Sequence, residues 1–312
     1  MLELADGIRR ITFPLPFGLD HVHCYLLRAD DGSWTLVDTG LGLPDPESRW
    51  APVLGSLDAP VSSIVVTHYH PDHVGDAAAV AELTGAPVFE GRIDRAQCLR
   101  AWVDPAGPNR YRAHSSANGL PPDEADTLRD ESEAIRTLVH APGDPEPLEP
   151  GQSFDGWRVI HLPGHADGHL VLLRGGVLIA GDTILSRISP SVGLYPDARP
   201  DPLGDYLASL ETIAELGATI AFAGHEEPVT DPAGRARELV HHHRERLDAA
   251  EALLASEPRS GYEVSLGLFG PALAPPLRRF ALAETLAHLE RLALEGRAER
   301  LDEGGSVRYR PA

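Results

Sequence analysis

A chain of 312 residues with 42% apolar content is long enough to bury one large core and to carry a smaller second unit. Its 27 basic residues against 47 acidic ones leave a formal charge of −20, which on average repels phosphate backbones and sets nucleic acid aside as an expected partner. Every basic residue is arginine, and the absence of lysine excludes a Schiff base or a lysine nucleophile.

Cys24 and Cys98 lie far apart without a CxxC-type spacing, so two buried free thiols are expected rather than a thiolate zinc site or a disulfide framework. The opening MLELADGIRRITFPLP lacks the apolar core of a signal peptide, and no later stretch reaches membrane-spanning length. A cytoplasmic protein without membrane contact is the expectation.

In chain order, Ile8 to Phe13, Val22 to Leu27 and Trp34 to Val37 read as short strands of an antiparallel meander ending at Asp38-Thr39-Gly40. Ser62 to Thr67 reads as a buried apolar strand that stops at His68, and the alanine-rich Ala77 to Leu83 as a helix. Residues 91–150 mix helix-like pieces, such as Pro122 to Val139, with Pro, Gly and Asp-rich loops, and are expected to form an insertion or lid beside the site. Strands are predicted at Trp157 to Leu162, Leu170 to Arg174, Val177 to Ala180 and Thr219 to Ala223, with a helix over Asp205 to Leu216 before the last of them. Beyond Pro232 the composition changes to helices over Arg235 to Ser256 and Pro276 to Glu295 and a hairpin over Ala298 to Arg310, which suggests a small winged-helix-like module. The expected division is therefore an α/β catalytic domain over residues 1–233 and a C-terminal module over residues 234–312.

His68-Tyr69-His70-Pro71-Asp72-His73 packs three imidazoles and a carboxylate into six residues, a density that ordinary packing has no reason to produce. Imidazole and carboxylate are the donors that zinc and related divalent ions prefer. His165, Asp182 and His225 each follow the end of another predicted strand, where rigid backbone can aim a side chain and a loop can expose it.

The order Thr-His-x-His-x-Asp-His, Pro-Gly-His, Ala-Gly-Asp and Gly-His resembles the metallo-β-lactamase superfamily over roughly the first three-quarters of the chain. The resemblance implies a four-layer αββα sandwich and two divalent ions, with zinc expected and iron or manganese as alternatives. It implies that His68, His70 and His165 bind the first ion, that Asp72, His73 and His225 bind the second, and that Asp182 bridges both. A hydroxide held between two such ions becomes a nucleophile at neutral pH, so Asp72 counts among the catalytic residues as a ligand rather than as a base.

Asp38 matches a family aspartate that can orient a ligand histidine through its free N–H. His169 matches a position often held by histidine, with support of the site preferred and proton donation to the leaving group second. An aspartate at position 182 is not expected in true β-lactamases of this fold, so antibiotic hydrolysis is not the expected activity. Arg187, Tyr195, Arg199 and Tyr206 lie in or near the loop after Asp182, where Arg187 and Tyr195 in particular could line a substrate mouth. His241-His242-His243 is expected to be a solvated helix start, because consecutive helical residues point in different directions.

The segment from Gly224 to Asp248, with the module after it, resembles a subgroup related to the lactamase-like mitochondrial endoribonuclease. Glyoxalase II shares the metal motifs but recognises glutathione through a different tail. Three classes are thus in view: hydrolysis of a small-molecule thioester, ester or lactone, hydrolysis of a phosphodiester such as single-stranded RNA, and a metal-dependent DNA-binding regulator. The charge of −20 weighs against the second. The mixture of Arg278, Arg279 and Arg291 with Glu284, Glu290 and Glu295 on the would-be recognition helix weighs against the third, and suggests packing on the catalytic domain or on a second subunit of a homodimer. Carbonyl hydrolysis is the favoured expectation.

Overall fold

The computed structural model describes residues 1–16 and 18–312. β1 (Leu2–Ala5), β2 (Ile8–Pro14), β3 (His21–Arg28) and β4 (Trp34–Val37) pair antiparallel in sequence order. α1 (Pro46–Gly55) then returns the chain to β5 (Val61–Val66), and α2 (Pro71–Val74) with α3 (Ala77–Thr84) leads to β6 (Val88–Glu90), both strands added in parallel. α4 (Arg92–Cys98), a π-helical turn (Leu99–Val103), α5 (Gly107–Ala117) and α6 (Pro122–Arg136) precede β7 (Glu146–Pro147), which completes a seven-stranded sheet. The second sheet has the order β12-β11-β10-β9-β8, from β8 (Ser153–Phe154), β9 (Trp157–His161), β10 (Leu170–Arg174), β11 (Val177–Gly181) and, after α7 (Pro202–Glu215), β12 (Ile220–Ala223).

Alternation along the strands sorts side chains into layers. Tyr25, Leu27, Val37 and Val65 of the first sheet meet Val159, Leu170, Leu172, Ile179 and Phe222 of the second, forming the central layer. Their neighbours Leu26, Leu36, Ile64 and Val66 point the other way, onto Trp50 of α1 and Val80 of α3. Val171, Leu178 and Ala221 likewise turn outward onto Leu203, Tyr206 and Leu210 of α7. Helices cover both outer faces, which is the expected αββα arrangement. Cys24 and Cys98 are both free and buried.

The remainder consists of α8 (Pro232–Ala252), β13 (Arg259–Ser260), α9 (Gly261–Phe269), α10 (Pro275–Leu294), β14 (Ala298–Glu303) and β15 (Ser306–Pro311), with a three-stranded sheet in the order β13-β15-β14. The short α9 and β13 were not legible in the sequence pattern. Among the described residues this region has no separate core of its own, because Leu282, Leu286, Leu289, Val307 and Tyr309 share one apolar cluster with Leu203 and Leu210 of α7. Tyr111, Leu120, Ala125 and Leu128 of the α5–α6 region join the same cluster, so the expected lid is packed between the sandwich and α10.

Helices α7 and α8 start three residues earlier than the apolar pattern predicts, for one shared reason. In Asp201-Pro-Leu-Gly204 and Asp231-Pro-Ala-Gly234 the aspartate side chain accepts from the glycine N–H at 2.8 and 2.9 Å, and proline occupies the first helical position. Asp caps an orphan donor and proline presets φ, so both helices begin at the cap.

Two of the three arginines of α10 are paired within the fold, and the third stacks on an aromatic ring. Arg278 donates to the carbonyls of Gly270 and Pro271, Arg291 pairs with Asp201 and Glu295, and Arg279 lies over the ring of Tyr111. Among the described residues no helix is long and apolar enough to cross a membrane.

Candidate metal centre

Each of the seven expected ligands follows a strand end. β5 runs out into Thr67-His68-Tyr69-His70, and Pro71 at the first position of α2 holds His70 extended, with φ −61° and ψ 147°. His68 and His70, two apart in extended backbone, therefore share a face, while Asp72 and His73 come from the following helical turn. His165 lies on the β9–β10 loop, Asp182 follows β11, and His225 follows β12 through Gly224. A Cβ at Gly224 would fall 2.4 Å from Asp182 Oδ1 and 2.6 Å from His73 Cε1, so only glycine permits this approach.

Three overlapping groups of potential donors result: His68, His70 and His165; His68, His73 and Asp182; and Asp72, His73 and His225. In each, the donor atoms lie within 4.8 Å of one another. Asp182 sits between them, with Oδ1 3.5 Å from His73 Nε2 and Oδ2 3.1 Å from His225 Nε2 and 3.7 Å from His165 Nε2. Asp72 Oδ2 is 3.4 Å from His225 Nε2.

Hydrogen bonds behind the rings decide which nitrogen faces the centre. His73 Nδ1–H donates to Asp38 Oδ2 at 2.8 Å, His165 Nδ1–H to the carbonyl of Ser191 at 2.7 Å, and His225 Nδ1–H to the carbonyl of His21 at 2.7 Å. Thr67 directs its hydroxyl proton to Asp38 Oδ2 at 2.8 Å, which leaves its oxygen to accept from His68 Nδ1–H at 3.0 Å. Four imidazoles are thereby set with the Nε2 lone pair pointing inward.

Those lone pairs require a cation. His68 Nε2 and His165 Nε2 face each other at 3.3 Å, and two lone pairs at that separation repel. Nitrogen ligands about 2.0–2.1 Å from a tetrahedral ion are themselves about 3.3 Å apart, so the spacing fits a shared ion. His73 Nε2, His225 Nε2 and Asp182 Oδ1 are buried and have no hydrogen-bond partner among the described residues, as ligand atoms of a metal site would.

The charges point the same way. Burial opposes ionisation of Asp182, but His225 and His73 outweigh it and hold the carboxyl well below its usual range. Burial likewise opposes positive charge at His225, yet Asp182 and Asp72 favour it and raise the pKa to about 10, so a bound cation would take the place of a proton on Nε2. His68, fully buried, and His70, half-buried, both beside other imidazoles, are held well below the ordinary histidine value by burial first.

A metallo-β-lactamase superfamily model matches residues 17–225, and a model of the metallo-β-lactamase-like C-terminal domain matches residues 247–312. The chain belongs to the metallo-β-lactamase superfamily. It is similar over its whole length to the metallo-β-lactamase family protein TTHA1429 from Thermus thermophilus, with 39% identity, a TM-score of 0.87 and coverage of 99% of this chain and 100% of that one. A β-lactamase domain protein from Burkholderia ambifaria is 30% identical, with a TM-score of 0.89 and coverage of 100% and 94%. The probable metallo-hydrolase YqjP of Bacillus subtilis is 28% identical, with 98% of each chain covered. As a superfamily member the protein is a metallo-hydrolase, and its His and Asp groups are candidate ligands for the divalent ions that the superfamily binds.

Of the other residues the sequence singles out, Asp38 sits at the metal loop. Its φ of 59° is a left-handed conformation that aspartate tolerates, and its Oδ1 accepts the Thr67 N–H at 2.8 Å. His169 is buried beside Asp182 with both ring nitrogens engaged: Nε2 accepts the Asp182 backbone N–H at 3.1 Å, and Nδ1–H donates to Thr183 Oγ1 at 3.1 Å. This geometry suits support of the Asp182 turn and leaves no free proton for a leaving group.

Tyr195 lies with its ring centroid 6.3 Å from that of Tyr111, on the loop whose Ser191 carbonyl accepts from His165 Nδ1–H. Arg187 does not join it, because its side chain is 77% exposed and pairs with Glu226 at 3.5 Å. Tyr206 is fully buried with its hydroxyl donating to the Thr183 carbonyl, and Arg199 pairs with Asp205. The expectation of a solvated histidine run needs a correction: the three residues lie well inside α8, where His241 is exposed beside Glu245 but His243 is buried against Ser189 and His288.

Sequence reasoning missed the carbonyls of Ser191 and His21, the hydroxyl of Thr67, and Glu226. The Glu226 carboxylate accepts from Ser186 Oγ and from the Arg187 N–H, and so holds the loop after Asp182. Backbone acceptors carry no residue signature. Only the alternating His21-Val-His23 at the start of β3 could have drawn notice.

Proposed function

We propose that this metallo-hydrolase cleaves a small-molecule thioester, ester or lactone at a pair of divalent ions, with zinc as the proposed metal. His68, His70 and His165 would hold one ion, Asp72, His73 and His225 the other, and Asp182 both. When bound, the ions supply Lewis acidity and a water acidified toward neutral pKa. Asp38, Thr67, Ser191 and His21 keep four imidazoles in the ligating tautomer, and His169 pins the backbone of Asp182. The observation that carries the reading is the placement of the Asp182 carboxylate, one oxygen toward His73 and the other toward His165 and His225.

Support for carbonyl over phosphodiester chemistry comes from the charge of −20 and from the ion pairing or internal bonding of Arg291 and Arg278 on α10, which leaves no basic track for a nucleic acid backbone there. The test is turnover of p-nitrophenyl esters, acyl-CoA thioesters and homoserine lactones, set against bis-p-nitrophenyl phosphate and single-stranded RNA, with Asp182→Ala as control. Carbonyl turnover that Asp182→Ala abolishes, together with a fall in bound metal per chain, is the expected result. Turnover confined to the phosphodiesters would overturn the carbonyl assignment.

A further inference from the structure

Beside the first histidine group lies a cluster of three tyrosines and one arginine drawn from four separate elements. Tyr69, between His68 and His70, packs against His70 with ring centroids 4.8 Å apart. Tyr111 on α5 and Tyr195 on the loop after Asp182 lie 6.3 Å apart, and the guanidinium of Arg279 from α10 sits 4.8 Å over the Tyr111 ring. The loop that carries Tyr195 also supplies the Ser191 carbonyl that accepts from His165 Nδ1–H at 2.7 Å, which ties the cluster to the first histidine group.

Arg279 differs from the other arginines of its helix in lacking an acceptor. Its Nε is buried without a hydrogen-bond partner, and among the described residues no carboxylate lies within 4.0 Å of the guanidinium. Glu131 on α6 is close enough to feel its charge but does not pair with it. Arg10, Arg95, Arg100 and Arg278 also have a buried guanidinium nitrogen without a hydrogen-bond partner, but Arg10 and Arg95 face Glu227 and Glu90, Arg278 donates to two carbonyls, and the charge of Arg100 acts on Asp167. Leaving a guanidinium N–H buried and unpaired is costly, and in a chain with 47 acidic residues an acceptor would be easy to supply from within. Stacking on Tyr111 restricts the planar group while leaving its edge N–H donors for a ligand in the same plane.

We propose that Arg279 binds a carboxylate carried by the substrate, so that the C-terminal module contributes the specificity of the site. This rests on the carbonyl hydrolase reading for the identity of the scissile bond, though not for the binding itself. A single guanidinium matches the single charge and planar fork of a carboxylate, whereas a phosphate dianion calls for more positive charge than this cluster holds. The preferred substrate is therefore an acyl compound whose second carboxyl group is free.

The experiment is calorimetric titration of the metal-loaded full chain with dicarboxylates from succinate to adipate and with their monomethyl esters. Both members of each pair can reach the metals through one carboxylate, so the difference between them reports the second group. The expected result is that one chain length binds roughly tenfold to a hundredfold more tightly than its monoester, as a charge-assisted hydrogen bond supplies, and that Arg279→Gln removes the difference while leaving monoester binding in place. Absence of any difference in the wild type, or its persistence in Arg279→Gln, overturns the proposal. Equal loss of both ligands in Arg279→Gln overturns it in favour of a structural role, and the same loss in Glu131→Gln overturns it in favour of an internal ion pair. Turnover of the matched half-acid and neutral thioesters is measured in parallel. If neither is cleaved but the binding difference behaves as expected, the carbonyl reading fails and the carboxylate site stands.

Discussion

Asp38 Oδ2 lies 2.8 Å from Nδ1 of His73, a residue thirty-five positions away, and the same carboxylate accepts both the N–H and the hydroxyl of Thr67. One side chain thus fixes the tautomer of His73 directly and that of His68 through Thr67. Its left-handed backbone is part of the arrangement, since an extended residue at this turn would aim the carboxylate elsewhere.

Asp38→Ala is accordingly expected to lower metal affinity by roughly tenfold to a hundredfold, the usual cost of removing a partner behind a ligand histidine. Competition with a chromophoric chelator measures it. An affinity within about twofold of wild type would remove Asp38 from this role.

Gly224→Ala places a methyl group 2.4 Å from Asp182 Oδ1 and 2.6 Å from the His73 ring, so one of the two must leave its position. The expected outcome is a folded protein that retains less than its full complement of metal, read by elemental analysis beside a circular dichroism spectrum. Full occupancy would show that the site relaxes around the added carbon.

His243 and His288 form a buried pair, 3.3 Å apart, whose pKa values are held at about 3 and about 4 by burial first and by neighbouring positive charge second. Both values lie below the unfolded 6.5, so the unfolded chain binds protons there that the native state refuses, and stability falls as pH drops below 6.5. Each group contributes at most about 1.4 kcal/mol per pH unit in that window. Glu90 and Glu284, raised to about 7 by burial, act in the opposite direction between pH 4.5 and 7, so the comparison must be wild type against variant. His288→Gln should flatten the acid side of the urea midpoint profile between pH 6.5 and 5. An unchanged slope would mean that the pair does not titrate in unfolding.

The apolar cluster that joins α7 to α10 predicts that sandwich and C-terminal module unfold together. Leu286→Ala, at a 1% exposed position in that cluster, should cost about 2–5 kcal/mol and shift a single calorimetric transition. Two separated transitions, with only one displaced, would contradict a shared core.

The metal loop was legible because its chemistry is local: His68, His70, Asp72 and His73 occupy six residues, and Pro71 marks where strand gives way to helix. The strands β3, β4, β5, β10 and β11 were legible because alternation of apolar residues is written residue by residue, and His165, Asp182 and His225 were singled out as candidate ligands by the resemblance to the metallo-β-lactamase superfamily together with their places after strand ends. β1, α1, α4, α5 and α9 were not, since short or weakly apolar segments take their conformation from the surfaces on which they pack.

Composition and motif alone determined that the chain carries a dense set of imidazole and carboxylate donors on a strand-rich sandwich with a helical tail. Only the tertiary structure decided what stands behind those donors, because the partners are remote: His225 is oriented by a carbonyl 204 residues away, and His165 by one 26 residues downstream. It also decided which arginine of α10 lacks an internal partner. Every arginine looks alike in sequence, and whether its charge is met depends on which side chains the packed helices bring within reach.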